Sequence, residues 1–290
     1  MDRIATPGAT RGIIKKYDIK VRKTLGQNFL IEKKFIDKII AAAELDKEQV
    51  VVEIGPGVGG LTQALVEAAG HVIALEIDQA LVKTLQDNFN QVNNLTVIHG
   101  DALKVDFEYL TKEIPAREQF APGYKIVANL PYYISTPLVM RVLKEHFKFL
   151  SMVLMVQKEV ARRMQALPGT KDYGSLSIGI QYYCRAKIIT QVPNTVFFPR
   201  PEVESAVIKL EKRDQPAVNV QDEKMFFALV RAAFSQRRKT MVNALSNAGL
   251  GPKDKWERIL EECEIDPKRR GETLSIEEFA RVSNLSSLKR

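Results

Sequence analysis

Glu53-Ile54-Gly55-Pro56-Gly57-Val58-Gly59-Gly60 directly follows the β-branched run Val50-Val51-Val52. Glycines after a strand let the backbone turn tightly and approach a ligand closely, and Gly55, Gly57 and Gly60 also fit a GxGxxG pattern. Glu76 lies 21 residues beyond Gly55, at the end of a second apolar run. A carboxylate there can accept hydrogen bonds from both hydroxyls of a ribose. To this point a dinucleotide and S-adenosylmethionine fit equally well. Gly100-Asp101-Ala102, after a third apolar run, tips the balance. Asp101 either caps a turn or accepts a proton from the amine of a cofactor adenine. Acids after three successive strands (Glu53, Glu76, Asp101) create a negative potential that suits the sulfonium of S-adenosylmethionine and would repel a pyrophosphate.

Asn129-Leu130-Pro131-Tyr132 is the most specific short motif. The amine on C6 of adenine is a poor nucleophile, because its lone pair is delocalised into the ring. Accepting hydrogen bonds from both of its N–H groups favours a pyramidal nitrogen with the lone pair free to attack a methyl group. The Asn129 side-chain oxygen and the Leu130 carbonyl are suited to that task. Pro131 has no N–H and a fixed φ, which steadies the carbonyl. Tyr132 can stack on the base, a contact worth about 1–3 kcal/mol. Such preorganised acceptors contribute on the order of 10²–10³ in rate each. No strong base is needed, since the nitrogen becomes acidic once methylated. A second ring must complete the sandwich around an unstacked base. Phe197 and Phe198, before Pro199-Arg200-Pro201, are the candidates, with the core as the alternative place for either.

Elements that could position these residues are readable in outline. Residues 1–22 contain Gly, Pro and Thr with weak periodicity and read as a flexible basic arm. Ile31, Phe35, Ile36, Ile39, Ile40 and Ala43 recur at helical spacing. Strand and helix patterns then alternate, with strands expected at 50–52, 72–75, 95–98, 125–128 and 152–156. That rhythm implies a parallel sheet covered on both faces. Residues 176–192 and 205–210 read as further strands. From Asp222 the pattern is helical only, and Ser275-Ile276-Glu277-Glu278 fits a capping box. A boundary is expected within 211–221. The predicted organisation is an arm at 1–22, an α/β domain at 23–211 and a helical domain at 222–290.

Composition narrows the classes. The 290 residues are 45% hydrophobic and 27% charged, enough for a large domain with a small one. No long apolar run suggests a membrane span and no secretory signal opens the chain, so a cytoplasmic location is the expectation. Cys184 and Cys263 stand far apart and His71, His99 and His146 are scattered, which gives no metal pattern. The net charge is +8. Residues 1–25 hold seven cations, Lys20, Arg22 and Lys23 among them, against two acids. Arg231 and Arg237-Arg238-Lys239 form a second basic stretch. Both clusters suit a polyanion, with ordinary solvated faces as the alternative.

These residues resemble the KsgA (RsmA) family of small-subunit rRNA adenine dimethyltransferases, over nearly the whole chain. Lys23-Thr24-Leu25-Gly26-Gln27-Asn28-Phe29-Leu30 is similar to the family's N-terminal cofactor motif. Glu53–Gly60, Glu76, Gly100-Asp101 and Asn129–Tyr132 follow in matching order. Phe197–Pro201 with Val203, Ser205 and Ala206 resembles the substrate-side loop, and Phe234–Lys239 the basic C-terminal signature. Phe198 departs from the small or polar residue often found there. The resemblance implies a Rossmann-like class I methyltransferase fold, with a seven-stranded sheet whose last strand is antiparallel, and a small all-helical C-terminal domain. It implies that Asn28, Leu30, Glu53, Gly55, Gly57, Glu76, Asp101 and Asn129 hold S-adenosylmethionine. Asn129, Leu130, Tyr132 and Phe197 would face the adenine. The implied substrate is a pair of adjacent adenines in a hairpin loop near the 3′ end of 16S rRNA. They receive four methyl groups in all, within an assembling small ribosomal subunit. The implied partner is that rRNA, contacted by Lys20, Arg22, Lys23, Arg231, Arg237, Arg238 and Lys239, with a monomeric enzyme, no membrane and no metal. An Erm-type enzyme acting on large-subunit rRNA is the nearest rival, disfavoured by Gly26–Leu30 and by Leu130. A non-catalytic factor would not need Asn129–Tyr132, and an oxidoreductase has no role for that tetrad.

Overall fold

The computed structural model describes residues 3–22 and 26–288. The chain forms α1 (Pro7–Lys16), β1 (Phe29–Leu30), α2 (Lys33–Ala43), β2 (Val50–Ile54), α3 (Gly60–Ala68), β3 (His71–Glu76), α4 (Gln79–Asn88), β4 (Leu95–His99), α5 (Phe107–Lys112) and β5 (Tyr124–Asn129). There follow α6 (Ser135–Lys144), β6 (Phe149–Gln157), α7 (Lys158–Gln165), α8 (Ser175–Tyr183), β7 (Cys184–Val192), β8 (Phe197–Phe198) and β9 (Ser205–Lys212). Four helices finish it: α9 (Glu223–Ser235), α10 (Met241–Asn247), α11 (Lys253–Glu262) and α12 (Ile276–Leu288).

Two compact units result. The first takes Met1–Ala161 with Ala186–Lys212, the second Arg162–Arg185 with Arg213–Arg290. In the first, a seven-stranded sheet has the order β4-β3-β2-β5-β6-β9-β7. β2 pairs in parallel with both β3 and β5, β3 with β4, and β5 with β6, while β9 runs antiparallel to β6. This is the Rossmann-like, seven-stranded and mostly parallel sheet expected from the sequence. β2, β3 and nearly all of β5 and β6 are buried, so their Val, Ile and Leu runs are continuous rather than alternating. The strand order turns back between β2 and β5. In an open α/β sheet the carboxyl ends at such a reversal leave a crevice for a ligand.

One side of the core joins Phe35, Ile36 and Ile39 of α2 and Leu61 and Leu65 of α3 to Val51, Val127 and Val153. A second cluster gathers Ile4, Ile19, Phe29, Val58, Leu81, Leu85 and Phe89. Ile4 and Ile19 lie within residues 1–22, expected to be a flexible arm. There the structure differs: α1 is a capped helix, with Thr6 accepting from the Ala9 N–H and Pro7 in its first turn. Gly8 and Gly12 dilute the helical signal, but Ile13 and Ile14 still pack against the second cluster.

The second unit contains another difference. Residues 176–183, expected to be strand, lie in the helix α8, and only Cys184 onward is extended. Leu176, Ile178, Ile180 and Tyr182 alternate as in a strand, yet seven of the nine residues of α8 are buried. A helix buried all round has no polar face to betray its period. Tyr182 stacks on Phe226 at 5.2 Å and Tyr183 on Phe227 at 5.8 Å, so α8 packs against α9 rather than completing the sheet. The Ser275–Glu278 box forms, with each side chain accepting from the other residue's N–H.

Candidate active site

At the crevice, β2 ends in a turn that brings Gly57 against the ring of Phe29. A Cβ on Gly57 would meet two of its carbons at 2.8 and 2.9 Å, and φ is +60°. No other residue fits there without moving that ring. The Gly57 N–H donates to Glu76 Oε2 at 3.2 Å. The other Glu76 oxygen accepts from the Ile77 and Asp78 N–H groups at 2.9 and 3.0 Å. Burial raises the Glu76 pKa, and these backbone donors oppose the rise. The carboxylate is thus fixed in place at the mouth of β3.

Glu53 sits deeper, 1% exposed. Burial pushes its carboxyl up to about 8, and nearby Glu76 adds to the push. Thr62 lies where a hydrogen bond would favour ionisation. Yet its hydroxyl and both Glu53 oxygens lack a partner within bonding geometry. A buried orphan carboxyl is costly unless a ligand or water completes it. Its presence among the cavity-lining residues marks a place for a cationic or donor group.

Asp101, 30% exposed, forms a turn and also lines the cavity. One oxygen accepts from the Leu103 N–H at 2.9 Å. Lys104 stands 3.7 Å from its other oxygen.

β5 delivers the motif. Asn129 still pairs in register with Met155, and the Leu130 N–H donates to the Met155 carbonyl at 3.1 Å, one residue beyond the strand. The Pro131 carbonyl accepts from Ile134 N–H and from Ser135 Oγ, closing the turn into α6. The Tyr132 hydroxyl meets Ser205 Oγ at 3.0 Å. The Asn129 amide Nδ2 donates to the Asn28 carbonyl at 2.8 Å. With the amide nitrogen so engaged, Oδ1 is left as the acceptor. Gly26–Leu30, Glu53, Gly55, Gly57, Glu76, Asp101 and Asn129–Tyr132 all line one cavity.

A sequence profile described as Ribosomal RNA adenine dimethylase matches residues 19–285. The chain belongs to the ribosomal RNA adenine dimethylase family. It is 51% identical over 286 residues to Ribosomal RNA small subunit methyltransferase A of Geobacillus sp. (strain WCH70), covering 97% of each chain. Against the protein of the same name from Clostridioides difficile (strain 630) it is 47% identical, over 100% of this chain and 99% of that one. Among solved structures, a dimethyladenosine transferase from Plasmodium falciparum superposes with a TM-score of 0.73 at 29% identity, over 88% of this chain and 95% of the other. The 23S rRNA methyltransferase ErmE superposes with 0.65 at 25% identity, over 88% and 97%.

In this member of the dimethylase family Phe197 departs from the sequence expectation. It is 4% exposed, pairs with Leu30 in a small β1–β8 sheet, packs in the core with Val192 and Val207, and does not line the cavity. Adjacent residues on a strand point to opposite faces, so Phe198 faces away from that core, partly exposed beneath the Arg11 guanidinium at 5.2 Å. Cavity residues given no role of their own by sequence reasoning include Gln27, quoted only within the motif, and also Ile77 and Tyr133. The last two are 44% and 52% exposed. An apolar residue one beyond the ribose-side acid, and a second aromatic beside Tyr132, were the available signals.

The expected polyanion contacts divide. Lys20 and Arg22 are exposed, with Arg22 Nε 3.6 Å from Asp78, and Lys23 lies outside the described residues. In the second unit Arg231, Arg238 and Lys239 are exposed. Arg237 is instead engaged by Glu272 at 3.3 Å and by the Lys171 and Tyr173 carbonyls at 2.8 and 3.2 Å. It ties down its own loop, which limits what it can offer a phosphate.

Proposed function

We propose that this dimethylase transfers methyl groups from S-adenosylmethionine to the N6 amines of two adjacent adenines in a hairpin loop near the 3′ end of 16S rRNA, on the assembling small subunit. The chain is an rRNA adenine N6-dimethyltransferase. The cavity fits the cofactor chemically: Glu76 is preset to accept from a ribose, Asp101 from an adenine amine, and the unpartnered Glu53 answers a positive charge. When bound, S-adenosylmethionine supplies an electrophilic methyl group on a sulfonium.

The remaining work belongs to the protein. Asn129 Oδ1 accepts a hydrogen bond from one N–H of the target amine and the Leu130 carbonyl from the other, which directs the nitrogen lone pair. Tyr132 stacks on the flipped base, held by Ser205. After the first transfer the cationic nitrogen loses a proton to solvent, and the remaining N–H keeps one acceptor for the second round. The observation that carries this reading is the Asn28–Asn129 hydrogen bond, which turns the amide so that its oxygen is the free end. Mass spectrometry of both rRNAs from a strain lacking this chain is the test. Loss of two neighbouring dimethyladenines from small-subunit rRNA, restored by the gene, is expected. A loss confined to large-subunit rRNA would refute it.

A further inference from the structure

We infer that Gln27 and Asp78 are positioning residues for methyl transfer. Together they lock the Gly26–Leu30 segment so that the ribose-side acid and the Asn129 amide are set by one hydrogen-bonded chain. Gln27 Nε2 donates to Asp78 Oδ2 at 3.1 Å, joining residues 51 apart in sequence. Asp78 is 4% exposed and fully committed. Its Oδ1 accepts from the Ala80 N–H and caps α4, and its own N–H donates to Glu76 Oε1 at 3.0 Å. On the other side the Gln27 side-chain oxygen accepts from the Arg22 N–H at 2.8 Å, so the amide has one usable orientation. The next residue, Asn28, ties its own side chain to the Gly26 carbonyl and offers its main-chain oxygen to Asn129.

Phe29 and Leu30 anchor the far end of the segment in the core, while Gly26 to Asn28 depend on these polar contacts. The segment's strand, β1, is two residues long and pairs with the two residues of β8. Yet it runs close to the motif: a Cβ on Gly26 would stand 3.4 Å from Pro131 Cβ and 3.6 Å from the Tyr132 N. A small slip of Gly26–Leu30 therefore turns Asn129, and misplacement of about 1 Å in a reacting geometry costs on the order of 10²-fold in rate.

This inference rests on the acceptor role given to Asn129 above. Asp78→Asn can keep the α4 cap through its oxygen, but then sets an NH2 group against the NH2 of Gln27. Gln27→Glu sets two carboxylates together. Each single variant is expected to lose at least tenfold in kcat at saturating cofactor and RNA, and Asp78→Asn also to weaken cofactor binding through Glu76. The double variant Asp78→Asn with Gln27→Glu reverses the donor and the acceptor, and the carboxylate introduced at position 27 can still accept from Arg22. It is expected to recover at least tenfold over either single change. Melting temperatures and cofactor titrations accompany the kinetics. A purely structural contact would lower stability and leave kcat per folded enzyme unchanged. Singles with wild-type kcat, or a double variant no better than the singles, overturn the inference. Asn129→Ala is run alongside: if it transfers methyl groups normally, the fault lies in the acceptor reading, whereas its inactivity with an intact Gln27→Glu faults only the positioning.

Discussion

Around the cavity and in the Ser235–Lys239 loop, polar groups are held in opposite ways. Glu76 accepts from three backbone N–H groups, Asn129 is turned by the Asn28 carbonyl, and Asp78 bonds on both oxygens. In the loop, by contrast, Arg238 and Lys239 stand exposed beyond the end of α9, while Arg237 is tied down by Glu272 and the Lys171 carbonyl. The contrast is the one that the proposed roles of the two regions would require. Stabilising a transition state requires dipoles already aimed, because reorienting them during reaction would consume the gain. Binding phosphate draws mostly on counterion release, which tolerates cations on long mobile stems. Errors in the first region should be close to all-or-none. In the second they should be graded and dependent on salt.

The largest expected effect tests the aimed dipole. Asn129→Ala should lower methyl transfer by on the order of 10²–10³ while changing cofactor affinity only a few-fold. Labelled-methyl transfer to small-subunit particles, alongside cofactor titration, decides it. Wild-type turnover would break the comparison at its strongest point.

Glu53 sharpens the same side, as a cavity acid whose two oxygens both lack a partner. Its pKa in the folded chain is raised to about 8 from an ordinary 4.5. The folded state therefore holds a proton that the unfolded state has released. The stability this confers is full below about 4.5 and is lost as pH rises towards about 8. Free Glu53→Gln protein should escape that loss and melt above wild type at about pH 8.5, by roughly 2–4 °C for each kcal/mol relieved. A cation in the site favours the ionised carboxylate, so wild-type affinity for S-adenosylmethionine should climb from about pH 6 to 8.5 and that of Glu53→Gln should stay flat. Parallel slopes for both proteins would show that Glu53 does not meet the charge.

The smallest effects belong to the loop. Removing Arg238 and Lys239 together should weaken RNA binding at all salt concentrations and flatten the log–log salt slope by about one for each phosphate no longer neutralised. Arg237→Ala should act through its loop instead, costing about 1 kcal/mol of stability in a partly exposed ion pair with only a minor change in slope. Filter binding across a salt series with thermal melts separates the two. An Arg237 slope change as large as that of the pair would erase the distinction.

Much of this site was legible because its chemistry is local. Glu53–Gly60, Glu76, Asp101 and Asn129–Tyr132 each close a strand, and parallel strands bring their carboxyl ends to one rim. Less legible was anything settled by partners distant in the chain. Ser175–Tyr183 has the alternation of a strand and becomes a helix because it is enclosed on all sides. Phe197 and Phe198 are chemically equal, and pairing with Leu30 and Phe29 decides which one enters the core. Residues 7–16 look unstructured alone, and gain a reason to be helical from the apolar cluster beside them.

The order of apolar runs and the acids that end them pointed to a parallel sheet and a nucleoside-type cofactor, and Asn129–Tyr132 pointed to an amine as the methyl acceptor, since strand period and functional-group chemistry are properties of short segments. Only the folded molecule decided that Gln27 reaches Asp78, that the Asn28 carbonyl orients Asn129, and that Arg237 is held by the Lys171 carbonyl. Those are contacts across 51, 101 and 66 residues. A hydrogen bond of that span leaves no periodic trace in the sequence, because its partners meet only after the elements between them have packed.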